Sequence, residues 1–462
     1  LSHEGHAAHD AAHTLARCGH PPVHNPGWRA WHVDCERLAT MSLTTDHPPA
    51  TSRVDWTCPF CSLLCEGLAL TDGRLAGSTC PRALAALATH QPAPGAAHDP
   101  VLCAIDGQAA PWADSLDAAA ARLAAWSQPL FGGLGTDIAG ARALYRLAAR
   151  CGAICDHADG GTLMAGVRAV QDRGQYVATL GELRSRAELV VLVGTDAVTR
   201  YPEFLRRAGL GDADSPCRTL VVLGASAPAF TGTAPALITL PGSGDLHADV
   251  QQLAALVDAR HVRQSDPALA DLAARLLASP YSVLVWEGAT LPREGELIIE
   301  ALNRIVGTLN RRTRAATFGL GGSDGAFSVN QTFTWLSGLP LRTRVSATGL
   351  QHEPRVYDSA RLLAQKSVDG LLWVSSFDPN RVPPATDLPR IVLGPPAMYA
   401  ALAAAQPNTV FIAVATPGLN AAGHLFRTDG PVVLPVFAAR DDGLPGVAQV
   451  LTQLAERVEA RA

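Results

Sequence analysis

Lysine is almost missing from this chain: of its 37 basic residues only Lys366 is a lysine, the rest being arginines. Such a bias reflects coding composition more than chemistry. Charge is sparse as well, at 17% of 462 residues with a formal net of −5. With no basic stripe against that mild acidity, nothing marks a nucleic-acid binder. No apolar run approaches the roughly 18 residues a membrane helix needs, which predicts a soluble protein away from the membrane. Ten cysteines in a chain this long are too few for a disulfide scaffold and point to a reducing, cytoplasmic compartment. Methionine is absent before Met41, whereas residues 1–40 hold seven of the fifteen histidines. That segment is either a histidine-rich metal-binding tail or sequence upstream of a natural start at Met41. In both cases 1–52 is expected to be a disordered extension.

Four cysteines are placed with purpose: Cys58-Pro-Phe-Cys61-Ser-Leu-Leu-Cys65 and then Cys80, which Pro81 follows. Thiolates at this spacing converge on one soft metal centre, zinc or an iron–sulfur cluster. One Cys-x-x-Cys knuckle followed by a three-residue step, instead of two knuckles, favours a [4Fe–4S] cluster on Cys58, Cys61, Cys65 and Cys80. The segment 53–100 then reads as a small domain with a thin core, stapled by its metal.

Beyond 100, apolar runs alternate with amphipathic helices. Strands are expected at Glu188–Asp196, Thr219–Ser226, Ala236–Asp245, Tyr281–Gly288, Gly370–Asp378, from Arg390 and at Thr409–Thr416. Helices are expected at Ser115–Ala125 with Ser115 as N-cap, and at Ile138–Cys151, His247–Leu256, Glu294–Leu309 and Val447–Ala460. The pattern predicts an α/β fold with parallel sheets covered on both faces, built as two Rossmann-like doubly wound layers. In such sheets ligands lie outside the carboxyl ends of the strands. The candidate binding residues are therefore Thr195 and Asp196, Gly224 and Ser226, and Gly242, Gly244 and Asp245, with Phe377-Asp378-Pro379 beside them. Phe318-Gly-Leu-Gly-Gly-Ser-Asp-Gly325 is no strand–helix dinucleotide fingerprint, so NAD is not expected.

The order of these features resembles the molybdopterin oxidoreductases: the cysteine segment, an Asp-Gly…Trp turn, a strand ending in Val193-Gly-Thr-Asp196, and Leu240-Pro-Gly-Ser-Gly-Asp245. The tail Thr416-Pro-Gly-Leu-Asn-Ala-Ala-Gly-His-Leu-Phe-Arg-Thr-Asp-Gly430-Pro is similar to that of the B-type subunits of formylmethanofuran dehydrogenases and methylotroph formyltransferase/hydrolase complexes. The resemblance spans about residues 53–440. It implies the first three domains of that superfamily without its C-terminal β-barrel domain: a cluster domain at 53–100, an α/β domain from 101–131 and 310–462, and an inserted domain at 132–309. It also implies a molybdopterin or tungstopterin guanine dinucleotide, partner subunits of A, C and D type, and one-carbon chemistry in which a formyl group on a furan cofactor is interconverted with formate or CO2.

The redox-active relatives place a metal-ligating cysteine or selenocysteine in the loop that here reads Gly133-Leu-Gly-Thr-Asp137-Ile-Ala-Gly140, without a thiol. Asp137 is an oxygen ligand for a high-valent metal or the N-cap of the next helix. The expectation is therefore a structural, redox-impaired subunit with no catalytic residue of its own. A redox-active pterin subunit and a zinc-stapled α/β binding module are the alternatives. Arg200 and Arg206-Arg207 either neutralise a diphosphate or form a solvated helix face. His352-Glu353, His424 and Asp441-Asp442 read as surface or turn residues.

Overall fold

The computed structural model describes residues 53–71, 73–90, 100–229, 235–402 and 407–461. The histidine-rich extension, Cys18, Cys35 and the Pro/Gly-rich stretch after His90 lie outside them. The cysteine segment holds β1 (Arg53–Trp56), β2 (Leu68–Thr71) and β3 (Arg74–Ala76) in one antiparallel sheet, followed by α1 (Pro81–Thr89). The chain continues through β4 (Cys103–Ile105), β5 (Gln108–Ala109), α2 (Trp112–Ala125), β6 (Pro129–Gly135), α3 (Ile138–Cys151), β7 (Ile154–Cys155) and α4 (Gly160–Arg173). It crosses into a second layer for α5 (Leu180–Arg186), β8 (Leu189–Val193), α6 (Phe204–Arg207), β9 (Thr219–Leu223) and β10 (Ala236–Leu240). That layer closes with α7 (Leu246–Val257), α8 (Pro267–Ala278), β11 (Tyr281–Glu287), α9 (Gly295–Leu309) and β12 (Arg314–Leu320). The return runs through α10 (Ala326–Ser337), β13 (Thr343–Ser346), β14 (Gly349–His352), α11 (Ser359–Ala364), β15 (Gly370–Ser375) and β16 (Arg390–Gly394). It ends with α12 (Met398–Leu402), β17 (Thr409–Ala413), the hairpin β18 (Gly423–Phe426) and β19 (Val433–Val436), and α13 (Val447–Glu459).

The second layer is a five-stranded, all-parallel sheet in the order β10-β9-β8-β11-β12. Its inner strands β8 and β9 are short Val/Leu runs buried on both faces, as parallel strands under helices must be, whereas the edge strand β10 is largely exposed. The first layer is a nine-stranded sheet, β14-β13-β7-β6-β15-β16-β17-β4-β5. Only its middle is parallel. The β13–β14 hairpin closes one edge and β4–β5 the other, both antiparallel. Two-residue connections such as Asp106-Gly107 permit only antiparallel neighbours, so the expectation of purely parallel sheets fails at these edges.

The layers also divide the chain differently from 132–309 and its flanks. Helix α3 and strand β7 belong to the nine-stranded sheet, where α3 shares a core with α2 and α13. Strand β12 belongs to the five-stranded sheet instead. Helix α4 bridges the two, with Met164 in the core of one layer and Ala169 in that of the other. The cysteine segment has no core of its own. Trp56, Leu63 and Leu68 share one cluster with Leu180, Phe204 and Phe318 on a face of the five-stranded sheet. Ser115, expected as an N-cap, lies inside α2, because extended Pro111 holds the cap position and the helix starts at Trp112.

Candidate functional site

The four cysteines gather where the β-strands of the first segment turn. Leu64 takes a positive φ of 45° between Cys61 and Cys65, and the Cys58 N–H donates to the Cys65 carbonyl at 2.9 Å, folding the knuckle back on itself. Pro81 opens α1 directly after Cys80, where proline is preorganised for a first helical turn. As a result Cys58, Cys61, Cys65 and Cys80 line one small pocket with Phe60 and Arg82. All four are buried free thiols. Burial, reinforced by the neighbouring Cys61, pushes the Cys58 thiol well above its ordinary value, and burial raises Cys65 to about 12. Deprotonating them in place therefore needs a cation. Among the described residues no three His, Cys, Asp or Glu are grouped for a single metal ion. The four sulfurs share one small pocket. A sulfur-only donor set of this kind is one that zinc or an iron–sulfur cluster takes.

Arg82, two residues past Cys80, belongs both to this pocket and to a much larger crevice of about 1110 Å³ between the layers. The crevice is lined from α1, α4, the ends of β11 and β12, α10 and the loop after β15. The Gly-rich stretch at 318–325, which follows no fingerprint, forms its floor. There Gly325, at φ 79°, approaches Thr136 so closely that a Cβ would lie 2.6 Å from the Thr136 nitrogen. Asp324 accepts from Arg82 at 3.3 Å and from Arg381 at 3.2 Å, and Arg381 also holds Asp159 at 2.7 Å. One ionic chain thus ties the cysteine segment, the five-stranded sheet and the nine-stranded sheet together.

The topological switch point of the five-stranded sheet lies between β8 and β11. Thr195 and Glu287 meet across it: the threonine hydroxyl donates to Glu287 Oε2 at 2.9 Å, while Arg200 Nε lies 2.7 Å from Oε1. Arg200, a candidate for a diphosphate, is thereby matched inside the chain. Arg206 pairs with Glu203, and Arg207 with Glu66 at 3.1 Å. Asp196 accepts from the Val198 and Thr199 amides, each at 3.1 Å, closing its own turn. Asp245 caps α7 by accepting from the Ala248 N–H at 3.0 Å. Leu246 lies over both Gly194 and Gly224: a Cβ on either would stand 2.5 and 2.8 Å from its methyl groups. Gly242, at φ 73°, makes room for Asp249, which accepts from the Ser243 N–H at 2.9 Å. Gly244 and Ser226 are exposed. The seven expected binding positions therefore sit at the carboxyl ends of β8, β9 and β10, and the wall of the crevice is made by other residues, from Thr199 to Pro202 and around Trp286.

In the loop after β6, Asp137 is 7% exposed and caps α3, accepting from the Gly140 N–H at 2.9 Å. Burial raises its carboxyl, and the amides of Gly140, Ala139 and His424 counter that. Its Oδ1 also accepts from the Thr136 hydroxyl at 3.5 Å. His424 thus takes part through its main chain. His352 pairs with Thr343 at 3.0 Å on the outer hairpin, and Asp442 holds Arg440 at 2.7 Å in a turn. Sequence reasoning passed over His157, Trp286 and the Arg82–Asp324–Arg381–Asp159 chain. A lone histidine after a two-residue strand carries no pattern, and ion pairs between distant loops have no sequence signature.

No protein-family model matches the sequence. It is 29% identical over 363 residues to the B-type subunit of the formyltransferase/hydrolase complex Fhc of Methylorubrum extorquens, spanning 77% of this chain and 97% of that protein. The B-type subunit of the tungsten-containing formylmethanofuran dehydrogenase 2 of Methanococcus maripaludis is 23% identical over 318 residues, 63% of this chain and 70% of that one. The counterpart from Methanocaldococcus jannaschii is 24% identical over 347 residues, 68% and 75% respectively. One polypeptide of the crystal structure of the Methylorubrum formyltransferase/hydrolase complex with methylofuran superimposes with a TM-score of 0.65 at 26% identity, covering 78% of this chain and 99% of that one. Sequence and fold agree: the chain is a homologue of the B-type subunits of formyltransferase/hydrolase complexes and formylmethanofuran dehydrogenases, the family its cysteine spacing and C-terminal motif resemble.

Proposed function

We propose that the chain is the scaffolding B-type subunit of a formyltransferase/hydrolase-like complex of one-carbon metabolism. In that reading, partner chains of A, C and D type transfer a formyl group on a furan cofactor and release it as formate, in a reducing cytoplasmic compartment. The observation that carries it is the state of Asp137. The position from which redox-active relatives ligate their metal holds a carboxylate already bonded to the N-terminus of α3. At the carboxyl ends of β8, β9 and β10 a pterin dinucleotide fits poorly, since Leu246 covers Gly194 and Gly224, and Arg200, Arg206 and Arg207 are matched by Glu287, Glu203 and Glu66. No step is routed through such a group.

A [4Fe–4S] cluster fits better, held by Cys58, Cys61, Cys65 and Cys80. When bound it supplies cross-linking of the 53–90 segment and a one-electron store. The chain's own part is to bury those thiols, to balance their charge with Arg82, and to brace the two layers through Asp324. Co-expression with A-, C- and D-type partners and anaerobic purification test the proposal. The expected result is a stable complex that releases formate and holds iron but neither molybdenum nor tungsten. Stoichiometric tungsten or molybdenum with redox turnover establishes the pterin enzyme instead, and zinc in the quartet establishes a zinc-stapled binding module.

A further inference from the structure

The five-stranded sheet ends on one side with β10, Ala236-Leu-Ile-Thr-Leu240, and no strand among the described residues pairs with its outer edge. The ladder to β9 fixes which backbone groups that edge presents. The Ala236 N–H donates to the Arg218 carbonyl at 3.0 Å, and the Leu240 carbonyl accepts from the Gly224 N–H at 2.9 Å. Ala236, Ile238 and Leu240 therefore bond inward, while Leu237 and Thr239 turn both amide and carbonyl away from the sheet. Their donors and acceptors stand in one row, with a single residue between.

Natural sheet edges are blunted by charge, internal proline, a bulge, short length or a covering segment. Two other edges of this protein follow that rule: Val177 bridges to Thr317 beside β12, and β5 is only Gln108 and Ala109. Strand β10 has none of these devices. It carries no charge, its register with β9 is unbroken, and Ala236, Leu237 and Thr239 are exposed, Leu237 to 40%. Its prolines, Pro235 and Pro241, lie just outside the strand and equally far from Ile238.

That symmetry selects the occupant. In an antiparallel pair, residues whose backbone groups face each other exchange hydrogen bonds, and the residues between them meet without bonding. A second copy turned about a two-fold axis at Ile238 sets Leu237 opposite Thr239 of the other copy, and Thr239 opposite its Leu237. The outward groups of both residues are then satisfied, and Ile238 packs against its counterpart, as β-branched pairs do across strands. Each Pro235 falls opposite a Pro241, where no donor is missed. A partner strand of unrelated sequence gives no reason for the even placing of the prolines.

We propose that β10 is the contact between two copies of this chain, joined antiparallel into one continuous sheet, an isologous interface. Sedimentation velocity on the full-length chain tests this. The mass is expected to rise with concentration from one copy to two. Thr239→Pro removes one outward amide from each copy and leaves the ladder to β9 whole, so it is expected to raise the dissociation constant about tenfold. Thr239→Lys keeps the amide, adds charge to the edge and is expected to act in the same direction. Ile238→Cys places two thiols at the axis, within reach of a disulfide. Mild air oxidation is expected to cross-link that variant, in the free chain and in the complex, and to leave Ala236→Cys, which faces Leu240 of the other copy, without a cross-link. A mass of one copy at every concentration overturns the proposal. So does equal cross-linking of Ala236→Cys and Ile238→Cys, or a folded Thr239→Pro that dimerises as tightly as the parent. Loss of the Ile238→Cys cross-link in the complex, with β10 amides protected from hydrogen exchange by another subunit, also overturns it and assigns the edge to that subunit. The parent's sedimentation decides the matter even if a variant fails to fold.

Discussion

Arg82 reaches from the cysteine segment to the Asp324 carboxylate, 3.3 Å away across the mouth of the crevice. Burial pushes that carboxyl up while Arg82 and Arg381 pull it down. Removing the carboxylate leaves two guanidinium groups facing each other, with Asp159 and Asp378 left beside Arg381. Asp324→Ala is expected to lower the unfolding free energy by about 2 kcal/mol, below the figure for fully buried pairs because both arginines keep some exposure. Urea unfolding with an unchanged m-value checks it.

Acid should destabilise the protein through its buried imidazoles. Burial depresses both His157 and His90 to about 4. The unfolded chain takes up protons below about pH 6.5, whereas the folded one stays neutral until about pH 4. Stability is therefore complete above about pH 6.5, falls as pH drops toward 4, and levels off below that, with a loss of at most about 3 kcal/mol per histidine. The urea midpoint measured between those limits should fall less steeply in His157→Gln. An identical slope in parent and variant excludes His157 from the effect.

Leu246 and Gly194 are expected to be coupled. Gly194→Ala forces a side chain onto φ 66° and into the Leu246 methyl, and should cost about 2 kcal/mol. Leu246→Ala should cost a similar amount, about 2 kcal/mol, through lost packing. Because the second change removes the obstacle to the first, the double variant should lose about 1 kcal/mol less than the sum. Strict additivity in thermal unfolding rules out the contact.

Cys58→Ala in the purified complex should lower iron content and the absorbance of an iron–sulfur chromophore, and should expose the 53–90 segment to proteolysis. The four thiols on one pocket motivate this expectation. Unchanged iron and unchanged thermal stability in the variant tell against a cluster at this place.

Much of the architecture was legible because its signals are local. The helix read at Ile138–Cys151 has those bounds, with Asp137 and αL Gly152 at its ends, and the helix read to Ala460 ends at Glu459. The Val/Leu runs at 189–193 and 219–223 could hardly be anything but buried strands. The edges of the nine-stranded sheet were not legible: β7 has two residues, and β13 and β14 lack apolar alternation, so only pairing across the fold defines them. The gathering of the four cysteines on one pocket could be read because three of them are close in sequence. Thr195 was assigned correctly to a strand end, yet its partner Glu287 lies 92 residues away and no spacing rule reaches that far.

The nesting of the five-stranded sheet inside the nine-stranded one has a consequence for biosynthesis. Strands β6 and β15 are neighbours, and Gln128 bonds Asp369 across 241 residues of intervening chain. A growing polypeptide can complete the enclosed sheet while its outer host still waits for half of its strands. Closing such distant pairs is slow, and until then the apolar faces of β6 and α3 are open to the solvent and to chaperones.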